Sequence, residues 1–134
     1  MKRSEIRELT FRLIYSLEIQ KDVNINEQID IFLKENNIDE TKDIEYLSDC
    51  ICGIKEKEEE IEEEIKNNIT SEWKIERISK VNLSLLKLAI YEIKYKQIPY
   101  KVEINEVVEL AKKYGDDQAS KFINGMLAKV VEDM

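Results

Sequence analysis

The chain contains no histidine, one proline, three glycines and two cysteines in 134 residues. Each shortage excludes something. Without histidine, the commonest general base and the commonest zinc ligand are absent. Cys50 and Cys52 stand two apart, which on a helix places them on different faces. They read as reduced thiols of a cytosolic protein, not as a disulfide or a metal pair. There is no glycine-rich phosphate loop and no GxSxG elbow. So few turn-forming residues favour long helices over a strand-and-turn architecture. No apolar run suits a signal peptide or a membrane span. The composition and motifs point away from catalysis and towards binding or scaffolding, with no cofactor or metal implied.

What is present is charge and apolar pattern. Hydrophobic residues make up 43% of the chain and charged residues 37%, with a net charge of −8. That charge is uneven. Residues 1–21 hold five basic and three acidic groups, residues 22–72 five and seventeen, and residues 73–134 eleven and nine. The acid is therefore confined to the middle. Two mildly basic ends leave room for a nucleic-acid partner, provided their cations share a face.

Residues 81–96, VNLSLLKLAIYEIKYK, organise the rest. Val81, Leu85, Leu88, Ala89 and Glu92 follow one helical face, with Leu83, Leu86, Ile90 and Ile93 on another. A helix apolar around most of its circumference is buried on several sides. It is too short for a bilayer, and Lys87 and Glu92 interrupt it.

Around this helix the pattern predicts an all-α fold of about seven helices. Two small bundles, roughly 1–68 and 69–134, pack around the central helix in one domain over 1–134. Helix 1 starts near Ser4 and carries Ile6, Leu9, Leu13 and Leu17 inward. A short helix covers 24–36. A long one runs from about 40 to 67, with heptad-like spacing broken at Glu58; it suits either a coiled-coil dimer or packing within a three-helix bundle. The run EKEEEIEEEI at 56–65 reads as its solvated outer end. Gly53 inside it suggests a close helix crossing. Trp73, Ile75 and Ile78 anchor a short connecting helix. The chain ends in helices over about 102–114, closed by Gly115, and from Asp116 or Asp117 onward, where Gly125 suggests a second close approach.

Arg3, Arg7, Phe11 and Tyr15 follow one another at four-residue steps along helix 1. Two cations followed by two aromatics can contact phosphates and stack on unpaired bases. The same residues can instead widen the core face, with the arginines solvated.

A longer pattern narrows the choice. IPYKVEINEVVELAKKYG at 98–115 and SKFINGML at 120–127 resemble the C-terminal signature of the NusB family of transcription antitermination factors. REL at 7–9, LIYSLE at 13–18, Gly53, Trp73 and LLKLAIYE at 85–92 follow the family's order, so the resemblance covers essentially the whole chain. It implies an all-helical, cytoplasmic RNA-binding adaptor. The adaptor would bind single-stranded boxA RNA together with the ribosomal protein NusE, within the antitermination complex of RNA polymerase. It also implies roles for residues: Lys2, Arg3 and Arg7 as the RNA-contacting N-terminus, Tyr15 beside the RNA, and Lys121 and Phe122 at a helix start that approaches it. Asn82, Asp116, Asp117 and Gln118 fall in the region implied to meet NusE. Asn82 and Gln118 depart from the acids usual there, with Asp116 and Asp117 one position away. Two alternatives remain: a helical protein-interaction module without RNA affinity, and an RNA-binding domain of the kind fused to ribosomal-RNA methyltransferases.

Overall fold

A computed structural model describes residues 1–69 and 75–134. Trp73, assigned an anchoring role above, lies outside the described residues. Among the described residues seven α-helices follow in order: α1 Arg3–Ile19, α2 Ile25–Glu35, α3 Thr41–Glu56, α4 Glu58–Asn68, α5 Lys80–Tyr95, α6 Tyr100–Tyr114 and α7 Ala119–Glu132. A three-residue 3₁₀ turn, Ile75–Arg77, stands where the short connecting helix was expected.

Local chemistry sets the boundaries. The Lys2 backbone N–H donates to the Glu5 carboxylate at the start of α1. Asn24 caps α2 by accepting from the Glu27 N–H at 2.9 Å. At the other end of α2, Asn37 turns left-handed with φ 54°. The Ile38 N–H then returns to the Leu33 carbonyl and the Asn37 N–H to that of Lys34, closing a Schellman motif. The apolar residue just past it, Ile38, is buried. Ser79 caps α5 through the Asn82 N–H.

α5 is the interior helix. From Leu83 to Ile93 every residue is buried, and α1, α3, α4, α6 and α7 all pack against it. Leu85, Leu86, Leu88, Ala89 and Ile90 are completely enclosed, as the two-sided apolar pattern requires. Apolar side chains from both halves of the sequence join in one continuous core.

The expected long helix is two helices. Lys57, at φ −100° and ψ 12°, interrupts it between α3 and α4, one residue before the pattern break at Glu58. The interruption lets α4 turn its own apolar side onto α5, with Ile61 and Ile65 fully enclosed. It also limits the solvated reading of the acidic run: Glu56, Glu59, Glu60 and Glu63 are exposed, but two of its glutamates turn inward to a buried lysine. Glu58 and Glu62 both lie 3.3 Å from the Nζ of buried Lys87.

The glycines separate into different cases. A Cβ on Gly53 would strike the Tyr91 ring, so α3 and α5 cross closely there. Gly125 was expected to mark a similar approach, yet no described atom lies within 4 Å of the Cβ position. Gly115 ends α6 in an extended conformation, φ −95° and ψ −177°, not the left-handed one common for a glycine that closes a helix. Space is what requires glycine there: a Cβ would sit 2.9 Å from the Ala111 carbonyl oxygen. Neither Asp116 nor Asp117 is the cap of α7; Gln118 holds that position without a side-chain bond. Asp116 acts just before it, accepting from the Gln118 N–H at 2.9 Å.

Candidate nucleic-acid interface

Helix α1 carries three kinds of residue along its length. Ile6, Leu13 and Ile14 enter the core. Lys2, Arg3 and Arg12 are exposed. Between these faces runs a stripe of Arg7, Phe11 and Glu18, and all three are buried.

Arg7 is the largest departure from the sequence reading, which placed it on phosphates. Its side chain is 4% exposed. Its Nε donates to Glu92 of α5 at 2.9 Å and lies 3.4 Å from Glu103 of α6; Nη1 lies 3.6 Å from Glu106. Burial opposes this charge, but the bond to Glu92 and the surrounding carboxylates raise the guanidinium above its ordinary value. Glu103 is wholly enclosed. Burial first, then neighbouring Glu92, push its carboxyl up to about 10 against the pull of Arg7. At neutral pH Glu103 is therefore protonated, and the guanidinium donates directly to Glu92. This arrangement holds α1 to α5 and α6 and leaves Arg7 no free donor face towards solvent.

A second buried cluster lies further along the same pair of helices. Lys87 of α5, 2% exposed, donates to Glu18 of α1, with Glu58 and Glu62 of α4 beside it. Burial disfavours the ammonium, yet the three carboxylates raise it above its ordinary value. The sequence contained the signal for both clusters. Lys87 and Glu92 stand inside an otherwise apolar helix, and charges buried there require partners.

The remaining expected RNA residues occupy three places. Arg3 lies over the Tyr46 ring of α3, its guanidinium carbon 4.5 Å from the ring centre. Lys2 is next to it at the cap of α1. Tyr15, half-buried, belongs to an aromatic row: its ring is 6.4 Å from Phe11, which is 5.1 Å from Tyr114 of α6. The Tyr114 hydroxyl and the Lys113 ammonium both donate to Glu8. Those two bonds hold the Glu8 carboxyl below its ordinary value. Arg12 acts electrostatically on this same group. It is an exposed cation one turn before Tyr15 that the four-residue stripe skipped.

Lys121 and Phe122 sit at the start of α7, beside the end of α4. A shallow groove there is lined by Asn68, Ile69, Phe122, Gly125 and Met126, with Lys121 and Lys129 also on its walls. Lys129, eight residues beyond Lys121, is a second cation that the motif alone did not single out. No described contact joins this groove to Arg3 or Tyr15. Of the residues assigned to the protein partner, Asp116, Asp117 and Gln118 are exposed in the α6–α7 connection. Asn82 is half-buried in the first turn of α5, and its side-chain oxygen is enclosed without a hydrogen bond. No helix among the described residues is long and apolar enough to cross a membrane.

Comparison with known proteins gives this geometry a family. The model of the NusB family matches residues 4–132. The transcription antitermination protein NusB of Clostridium botulinum (strain Kyoto / Type A2) is 42% identical, over 98% of this chain and all of that protein. Its counterpart in Acetivibrio thermocellus is 46% identical, over 98% of this chain and 90% of its own length. Among solved structures, T. maritima NusB superposes with a TM-score of 0.91 at 30% identity, covering 99% of this chain and 92% of that one. A crystal structure of antitermination factors NusB and NusE in complex with double-stranded RNA superposes with a TM-score of 0.88 at 25% identity, over the full length of both chains. The match runs through every helix described above, and the chain belongs to the NusB family.

Proposed function

We propose that this chain is an RNA-binding transcription antitermination adaptor. It binds single-stranded boxA-type RNA together with the ribosomal protein NusE and joins the antitermination complex of RNA polymerase in the cytoplasm, supporting ribosomal-RNA transcription. It has no catalytic role. The observation that carries this reading is the NusB match across 4–132, supported by a similar fold seen with NusE and RNA in another member. Lys2, Arg3, Tyr15, Lys121 and Phe122 form the RNA-contacting set, with Arg12 and Lys129 as added cations. Arg7 serves the set indirectly by fixing α1. Asn82, Asp116, Asp117 and Gln118 meet NusE, where exposed acids complement a basic protein.

The test is a titration of a boxA-type single strand with and without NusE. Tighter binding in the presence of NusE, lost when the boxA sequence is scrambled, supports the adaptor. Binding of NusE with no RNA affinity in either arm would favour a purely protein-interaction module.

A further inference from the structure

Arg3 and Tyr46 meet across the junction of α1 and α3. The separation of 4.5 Å lies within cation–π range. The two partners are anchored differently. Tyr46 is half-buried, and its hydroxyl is enclosed without a hydrogen bond. Burial, with Cys50 and Glu92 nearby, holds its ionisation above the ordinary phenol value. The ring packs against the hydrophobic core. Arg3 is exposed. Among the described residues, the ion pairs of α1 side chains are made by Arg7, Glu8 and Glu18, not by Arg3. Its charge is therefore available to a ligand.

A guanidinium resting on an aromatic ring has one face covered and the other open. It is planar, and its N–H donors lie around its edge. Such a plane, held from beneath, suits an unpaired base stacked on the outer face, with edge donors left for a phosphate. A lysine in the same place would supply the charge without the plane.

We propose that Tyr46 is a positioning residue of the RNA surface. Its ring holds the Arg3 guanidinium flat, and an unpaired nucleobase of single-stranded RNA stacks on the outer face of that guanidinium. This rests on the RNA-binding reading above and adds to it a residue on α3.

The experiment measures affinity for a boxA-type single strand at several salt concentrations, with NusE present throughout. Arg3→Lys keeps the charge and removes the plane. It weakens binding by about fivefold or more, the lower end of a base-stacking contribution, with the salt dependence unchanged. Tyr46→Leu weakens binding similarly, and Arg3→Lys added to it costs less than about twofold more, because the platform is already lost. Tyr46→Phe keeps the ring and restores binding. A purely structural role for Tyr46 predicts a lowered melting temperature with additive effects on affinity, and that result overturns the proposal. So does Arg3→Lys binding like the parent chain; because Arg3 is exposed, this variant decides the matter even if Tyr46→Leu does not fold. If the parent chain binds RNA and none of these variants changes it, the platform alone is wrong. If the parent chain binds no RNA, the RNA reading falls and the platform with it.

Discussion

The Nε of Arg7 lies 2.9 Å from a carboxylate oxygen of Glu92, and both side chains are almost completely enclosed. One residue comes from the first helix and the other from the interior helix, 85 positions apart. An exposed ion pair of the same length would contribute little, about 0–1 kcal/mol. Here neither group can exchange its partner for water.

Breaking this pair on one side should therefore be costly. Arg7→Ala leaves Glu92 buried beside Glu103 without its cation, and a loss of about 3–5 kcal/mol is expected. RNA binding by the remaining folded protein should keep its salt dependence, since Arg7 touches no phosphate. Chemical denaturation and a salt titration of the variant check both parts. An unchanged melt with a reduced salt slope would return Arg7 to the surface.

Glu103 makes stability depend on pH in an unusual direction. Its folded-state value is raised to about 10, above the ordinary carboxylate value of about 4.3 in an unfolded chain. As pH rises through the unfolded value, the unfolded chain ionises while the folded chain keeps its proton. The group thus subtracts stability progressively between about pH 4.3 and 10. Glu103→Gln, a neutral mimic of the protonated acid, should lose less stability between pH 5 and 9 than the parent chain. Melting temperatures across that range measure it, and parallel curves would refute the buried protonated carboxyl.

The glycines inside α3 and α7, Gly53 and Gly125, should respond to alanine with opposite signs. Gly53→Ala pushes a methyl group into the Tyr91 ring, which must shift and loosen its bond to Asp49; the variant should be destabilised. In a Tyr91→Leu background the same change should become neutral or favourable. Gly125→Ala meets open space among the described residues and should stabilise the protein by about 0.5–1 kcal/mol through helix propensity. Equal effects at both positions would remove the distinction drawn between them.

Tyr15 offers a stacking surface where its aromatic neighbour Phe11 is already buried. Tyr15→Ala should weaken binding of a single-stranded boxA-type RNA by about 1–3 kcal/mol without altering the salt slope, because stacking releases no counterions. Arg3→Ala should instead lower that slope by about 0.7, the single-strand value per phosphate contact. A Tyr15 variant that melts much lower yet binds RNA normally would assign the ring to the core.

How much of this was legible in the sequence varied with the physics involved. The interior helix announced itself because its apolar residues cover two faces, a pattern with one explanation in a chain this short. Gly53 gave the crossing on α3, since glycine in a helix carries a known penalty. Arg7 was misplaced because a four-residue stripe shows which residues are neighbours but not where burial ends. Its partner Glu92 lay in plain view inside the apolar helix, yet nothing local joined the two. Glu58 and Glu62 were hidden by abundance: in a run of glutamates, only the fold reveals which ones meet Lys87. Gly125 shows the converse, a residue whose type suggested contact where the structure has none. Tyr46 had no sequence signal, because its relation to Arg3 depends on where two distant helices meet.

The two buried ion pairs between α1 and α5 also share an arrangement with a consequence for assembly. On each helix the cation comes before the acid: Arg7 then Glu18, Lys87 then Glu92. Antiparallel docking joins first to last on both, giving Arg7 to Glu92 and Glu18 to Lys87. Docked the other way round, cation would face cation and acid would face acid in a medium that screens neither. The wrong orientation is thus actively repelled as well as poorly packed. The charge order thus favours one direction of α1 along α5 over the other.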